Sequence, residues 1–144
     1  MDTSFFADNQ QERENMVRFV RSLSVEQLNQ PMEAGWTVSA VLAHMAFWDQ
    51  RALILIEKWG KEGIGPSPVD TDVMNEVTRP FLLAIPAQQA AEIFISSAEA
   101  VDSKIASLDP TFLEEIETTG KTVLLNRAKH RRTHMKDFEK VLGG

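Results

Sequence analysis

An all-α four-helix bundle is the fold this sequence predicts, and three observations predict it. Four stretches of about twenty residues repeat apolar side chains at helical spacing. None alternates apolar and polar residues as a half-buried strand does, and the breaks between them hold Gly and Pro. Four amphipathic helices of that length bury their apolar faces most simply against one another. At 144 residues, 43% of them hydrophobic, the chain makes one domain, 1–144, with its own core.

The first helix is expected from about Thr3 to Leu23, with Met16, Val17, Phe19, Val20 and Leu23 on its apolar face. "SVEQLNQP" follows, in which Ser24 and Gln27 have capping-box spacing, so a short turn precedes Pro31. The second helix begins after Thr37 as N-cap and ends near Gly60. Its apolar face, from Val38 and Val41 through Met45, Trp48 and Ala52 to Ile56 and Trp59, is wide enough to meet more than one neighbour. "KEGIGPSPVDTD" is a loop, and a short extra helical segment is expected from Thr71 to about Arg79, before Pro80. The third helix starts at Pro86 and reaches about Leu108, lined by Ala90, Phe94, Ser97, Val101, Ile105 and Leu108. "DPTFLEEIETTG" reads as a turn with an irregular or extended stretch. The fourth helix is expected from Lys121 to Leu142, closed by Gly143 and Gly144, with the core stripe Leu124, Ala128, Met135, Phe138, Leu142.

Composition excludes several function classes. There is no cysteine, hence no disulfide, thiolate metal site or cysteine nucleophile. A net charge of -6 opposes general affinity for nucleic acid or anionic membrane. No secretion signal or membrane span is visible, which makes a cytoplasmic protein the expectation.

The chemistry-bearing residues are the three histidines. His130 and His134 stand four apart on the fourth helix, in the stripe Arg127–His130–His134–Phe138–Val141 beside the core stripe, so their imidazoles can converge at the edge of the bundle interior. His44 lies in the apolar face of the second helix, between Val41 and Trp48, where it must find a hydrogen-bond partner or coordinate something. Three imidazoles from two helices would leave one position of a tetrahedral ion for water or substrate. Two readings stay open on the residues alone: a metal site, or a metal-free helical binding module with structural histidines.

"GWTVSAVLAHMAFWDQRAL" followed by "AKHRRTHMKDFEKVL" resembles the DinB-like superfamily of four-helix metalloproteins, including its YfiT-like metal-dependent hydrolases and thiol-dependent transferases. Trp36 and Thr37, His44, and the pair His130 and His134 stand where that family carries its motifs, and the likeness covers nearly the whole chain. The resemblance implies that these three histidines bind one divalent metal ion, nickel or zinc. It implies a small-molecule substrate, a low-molecular-weight thiol as a candidate cofactor, no DNA binding, and compatibility with a homodimer.

Around such a site each candidate has a plain alternative. Asp137, three residues after His134, can orient a ligand or assist proton transfer, or be a solvated carboxylate. Arg51 and Arg127 can hold an anionic group, or lie along the surface. Trp48 is a pocket wall or core, and Asn75 a pocket contact or a turn residue. Asp49 points to another face and reads as structural. The cluster Arg127, Lys129, Arg131, Arg132 and Lys136 reads as a solvated face rather than a nucleic-acid face, with Lys129, Arg132 and Lys136 outermost.

Overall fold

A computed structural model describes residues 1–119 and 122–143. Among them the architecture is all helical: α1 (Ser4–Arg21), α2 (Val25–Leu28), a 3-10 turn (Glu33–Gly35), α3 (Val38–Glu62), α4 (Thr71–Leu83), α5 (Ala87–Ala106), α6 (Pro110–Thr118), α7 (Thr122–Leu125) and α8 (Ala128–Leu142). The bundle proper is α1, α3, α5 and α8. α3 packs chiefly on α5, α1 on α8 and α5, and α4 lies against α3.

Local chemistry sets the boundaries. Ser24 and Gln27 close a full capping box at α2, and the Thr37 hydroxyl accepts from Ala40 N at the start of α3 (3.2 Å). α3 runs past Gly60 to Glu62, because Gly63 is the glycine that takes the positive φ (90°) at its C-terminus. α4 does not stop before Pro80 but carries it and ends at Leu83, which tucks Leu82 into the core. The stretch 109–118 is a helix: the Asp109 carboxylate caps Thr111 N, Pro110 opens the first turn, and Leu113 and Ile116 are buried. The fourth long helix is interrupted at Asn126–Arg127, so α7 and α8 are separate; Lys121 and Gly144 lie outside the described residues.

The core has two large apolar clusters, one gathering Met16, Val20, Leu42, Met45, Phe94 and Phe138, the other Phe5, Ile56, Trp59, Ile105, Ile116 and Leu125. A small third one holds Ala43, Leu82 and Ala90. A further set of buried residues is polar: Asn9, Asp49, Asp102, Arg127 and Arg131. Arg131 holds Asp102 with two bonds (2.9 and 3.0 Å), also donates to Asn9 O, and reaches Asp49 at 3.5 Å. Arg127 pairs with Asp49 (2.9 Å), and Arg13 reaches Asp102 from the edge (2.6 Å). The Asn9 side chain serves the α7–α8 break, donating to Leu125 O and accepting from Arg127 N and Ala128 N. It thereby satisfies backbone groups that the broken helix leaves orphaned.

Candidate metal centre

α3 and α8 bring the three histidines together. The His44 ring centroid lies 5.4 Å from that of His130 and 5.1 Å from that of His134, and the latter two are 4.6 Å apart. One ring nitrogen of each lies within 4.8 Å of those of the other two. Between His130 and His134 the facing atoms are both Nε2, at 3.0 Å. Two nitrogens held 2.0–2.1 Å from a tetrahedral ion stand about 3.3 Å apart, so this spacing suits a small divalent cation.

Electrostatics point the same way. Burial pushes His44 down to about 4, aided by His134; burial first, then the neighbouring histidines and arginines, push His130 down to about 3. His134 is also lowered by burial, against the opposing pull of Asp137. All three are thus neutral imidazoles at pH 7, the form that ligates metal. Nδ1 of His44 and Nδ1 of His134 are buried with no hydrogen-bond partner. An unsatisfied buried nitrogen costs on the order of 1–3 kcal/mol; on His134 it lies on the ring edge away from the Nε2 that faces His130, 3.6 Å from the Asp137 carboxylate.

A cavity of about 340 Å³ opens beside the rings, lined by His44, His134, Trp36, Asn75, Asp137 and Lys140 among others. Trp36 stands edge-on to His44, centroids 5.5 Å apart. The wall it belongs to is the 31–37 turn, closed by Met32 N to Trp36 O (2.7 Å) and Val38 N to Gln30 O (3.1 Å). Ala34 in that turn holds φ +56°, a left-handed conformation uncommon outside Gly.

The other expected residues separate. Asn75 and Asp137 line the cavity, and the Asp137 carboxylate lies 3.6 Å from His134 Nδ1. Trp48 stays outside it but donates from Nε1 to Asn75 Oδ1 (3.1 Å), fixing that amide. Arg51 turns away from the rings to the 63–70 loop, bonding Ser67 O and Oγ, because its guanidinium stacks over Trp48 instead. Arg127 is taken by Asp49, so neither arginine is placed to hold an anion in the cavity. Asp49, expected to be structural and to point to another face, is buried and pairs with Arg127 and Arg131. Lys129, Arg132 and Lys136 are exposed, but Arg131 is 2% exposed and is no part of a surface patch.

Sequence reasoning missed Glu33, Lys140 and the Arg131–Asp102–Asn9 network. The network did leave a signal: Arg131 falls in the gap of the stripe Leu124, Ala128, Met135, Phe138, as Asp49 does between Met45 and Ala52. Charged residues in register with a core stripe must find partners inside.

The fold and site define a class: helical bundles that gather side chains from facing helices around one interior point. The chain belongs to the DinB superfamily, whose family model matches residues 9–137. No curated protein and no solved structure matches it. Among the described residues no helix is long and apolar enough to cross a membrane.

Proposed function

We propose that this chain binds one divalent ion, nickel or zinc, through His44, His130 and His134, and uses it for hydrolysis or thiol-dependent transfer on a small molecule. The observation that carries this reading is the convergence of three neutral imidazoles, His44 buried and His130 and His134 half-buried, beside a cavity. A divalent ion there supplies Lewis acidity, polarising a substrate oxygen, activating water or holding a thiolate. The chain does the rest. Asp137 stands 3.6 Å from His134 Nδ1 and also lines the cavity, so its carboxylate places negative charge beside the ring and can accept a proton from a bound molecule. Asn75, held by Trp48, offers a fixed amide, while Met32, Trp36, Val41 and Val141 give an apolar wall for the substrate body.

Elemental analysis of protein purified without a chelator or a histidine tag tests the proposal. Close to one ion per chain is expected, falling by most of its value in His130→Ala and His134→Ala. Full occupancy in both variants, or no uptake by the parent protein, would leave the metal-free binding module as the better reading.

A further inference from the structure

α4 is held to the rest of the chain by little of its own. Of its 13 residues only Leu82 is buried, although a helix of that length draws most of its stability from packing an apolar face. Yet α4 supplies Asn75 to the wall of the histidine cavity. Val77, two positions further on, stands on the opposite side of the helix. Val73 and Phe81, four residues to either side of it, extend it into one stripe. All three face solvent: Val73 is 52% exposed, Val77 53% and Phe81 72%, the highest value for a large apolar side chain among the described residues. Next to Phe81, Leu82 and Ile85 join Ile54 of α3 and Ile93 of α5 around a groove of about 480 Å³, where the buried Ala43 and Ala46 leave room for an incoming side chain. Ile54 and Ile93 are themselves exposed. Arg51 is the one charged residue lining this groove, and its guanidinium is bonded to Ser67.

We propose that this face is a two-fold interface with a second copy of the chain, α4 lying antiparallel against its counterpart and each Phe81 reaching toward the other copy's groove. Three features name that occupant. The stripe is apolar at Val77 and four positions either way, so a two-fold copy matches it to itself, as an isologous contact requires. A projecting side chain and a groove lie on the same face, so each copy offers what the other can fill. Val73, Val77, Phe81, Ile54 and Ile93 together present roughly 500 Å² of apolar surface, at the upper end of what a monomer leaves open; a polar rim brings this near the ~800 Å² that each partner gives to a stable complex. α4 carries Asp72 and Glu76 against Arg79 alone, which disfavours an anionic lipid surface in that place. Pairing supplies the burial that α4 lacks in a single chain and steadies the helix that holds Asn75 at the cavity. It needs no ion at the histidines.

Size-exclusion chromatography with light scattering, at tens of micromolar chain, tests the pairing. The parent protein should have the mass of two chains, and Phe81→Glu and Val77→Glu should each halve it. Val25→Glu, at an equally exposed apolar position on α2, should keep the mass of two. A parent with the mass of one chain would leave the stripe to a different protein or a membrane and overturn the proposal; so would a Phe81→Glu variant that keeps the mass of two. If circular dichroism shows the charged variants unfolded, Val77→Cys decides, because the chain has no cysteine of its own. Disulfide-linked dimer formed on mild oxidation, in clear excess over that from Val25→Cys, supports the interface, and no excess overturns it.

Discussion

His130 and His134 face each other with their Nε2 atoms 3.0 Å apart, one helical turn separating their backbones. Both rings are neutral, and only one of the two facing nitrogens can carry a hydrogen if they bond directly. A cation between them engages both lone pairs. Adding nickel or zinc to stripped protein should therefore raise the melting temperature. At a hundredfold excess over Kd the gain is about 2.7 kcal/mol, which for a chain of this size is roughly 5–10 °C. Differential scanning fluorimetry with and without His44→Ala checks it, and an equal rise in both proteins would contradict the site.

Acid should weaken the stripped protein through the same rings. His44 and His130 have folded-state pKa values of about 4 and about 3, below the ordinary 6.5 of the unfolded chain. Below pH 6.5 the unfolded state binds protons that the folded state refuses, so stability is complete above that pH and falls as pH drops toward 4. Urea midpoints at pH 7.5, 6 and 5 should decline in that order. A midpoint that holds steady or rises would show that the rings protonate without cost.

Asp137→Asn should weaken metal binding roughly tenfold while leaving the melting temperature of stripped protein nearly unchanged. The carboxylate is half exposed and stands 3.6 Å from the buried His134 Nδ1, so its loss removes a negative charge beside the ring and little else. Isothermal titration with zinc separates this from a neutral surface change, for which the affinity would not move.

Arg131→Ala should cost about 3–5 kcal/mol of folding stability, since it leaves Asp102 buried without its main partner. Chemical denaturation gives the figure directly. A loss under 1 kcal/mol would mean that water or Arg13 replaces the guanidinium.

Ala34→Gly should stabilise the fold by about 0.5–1 kcal/mol, because glycine accepts φ +56° without the Cβ conflict and the alanine methyl is exposed at the cavity rim. Destabilisation would indicate that the alanine methyl, or the stiffer backbone it brings, supports the cavity wall.

The bundle was legible because its helices obey a simple periodicity, and the histidines because all three of the chain's imidazoles fall on inward-facing helical positions. What escaped was set by contacts between distant residues. The helix at 110–118 buries only Leu113 and Ile116, too few positions to reveal a period. The interruption before Ala128 has no Gly or Pro to announce it; it exists because Asn9 satisfies the backbone there. Arg131 sat among four other cations in the sequence and read as surface. Its register with Ala128 and Phe138, rather than its charge, held the answer. Arg51 and Trp48 failed for a related reason: spacing along α3 gives the direction of a side chain but not which loop folds back to meet it.

Asn9 lies 116 to 119 positions away from the groups it bonds at the α7–α8 junction. On a ribosome the amino-terminal rod must therefore wait, its amide unmatched, until almost the whole polypeptide has emerged. Ring convergence likewise needs residue 134, so an ion held by all three imidazoles is acquired only once the last helix has been made. Nascent chains arrested before residue 125 should accordingly show no selective uptake of nickel or zinc.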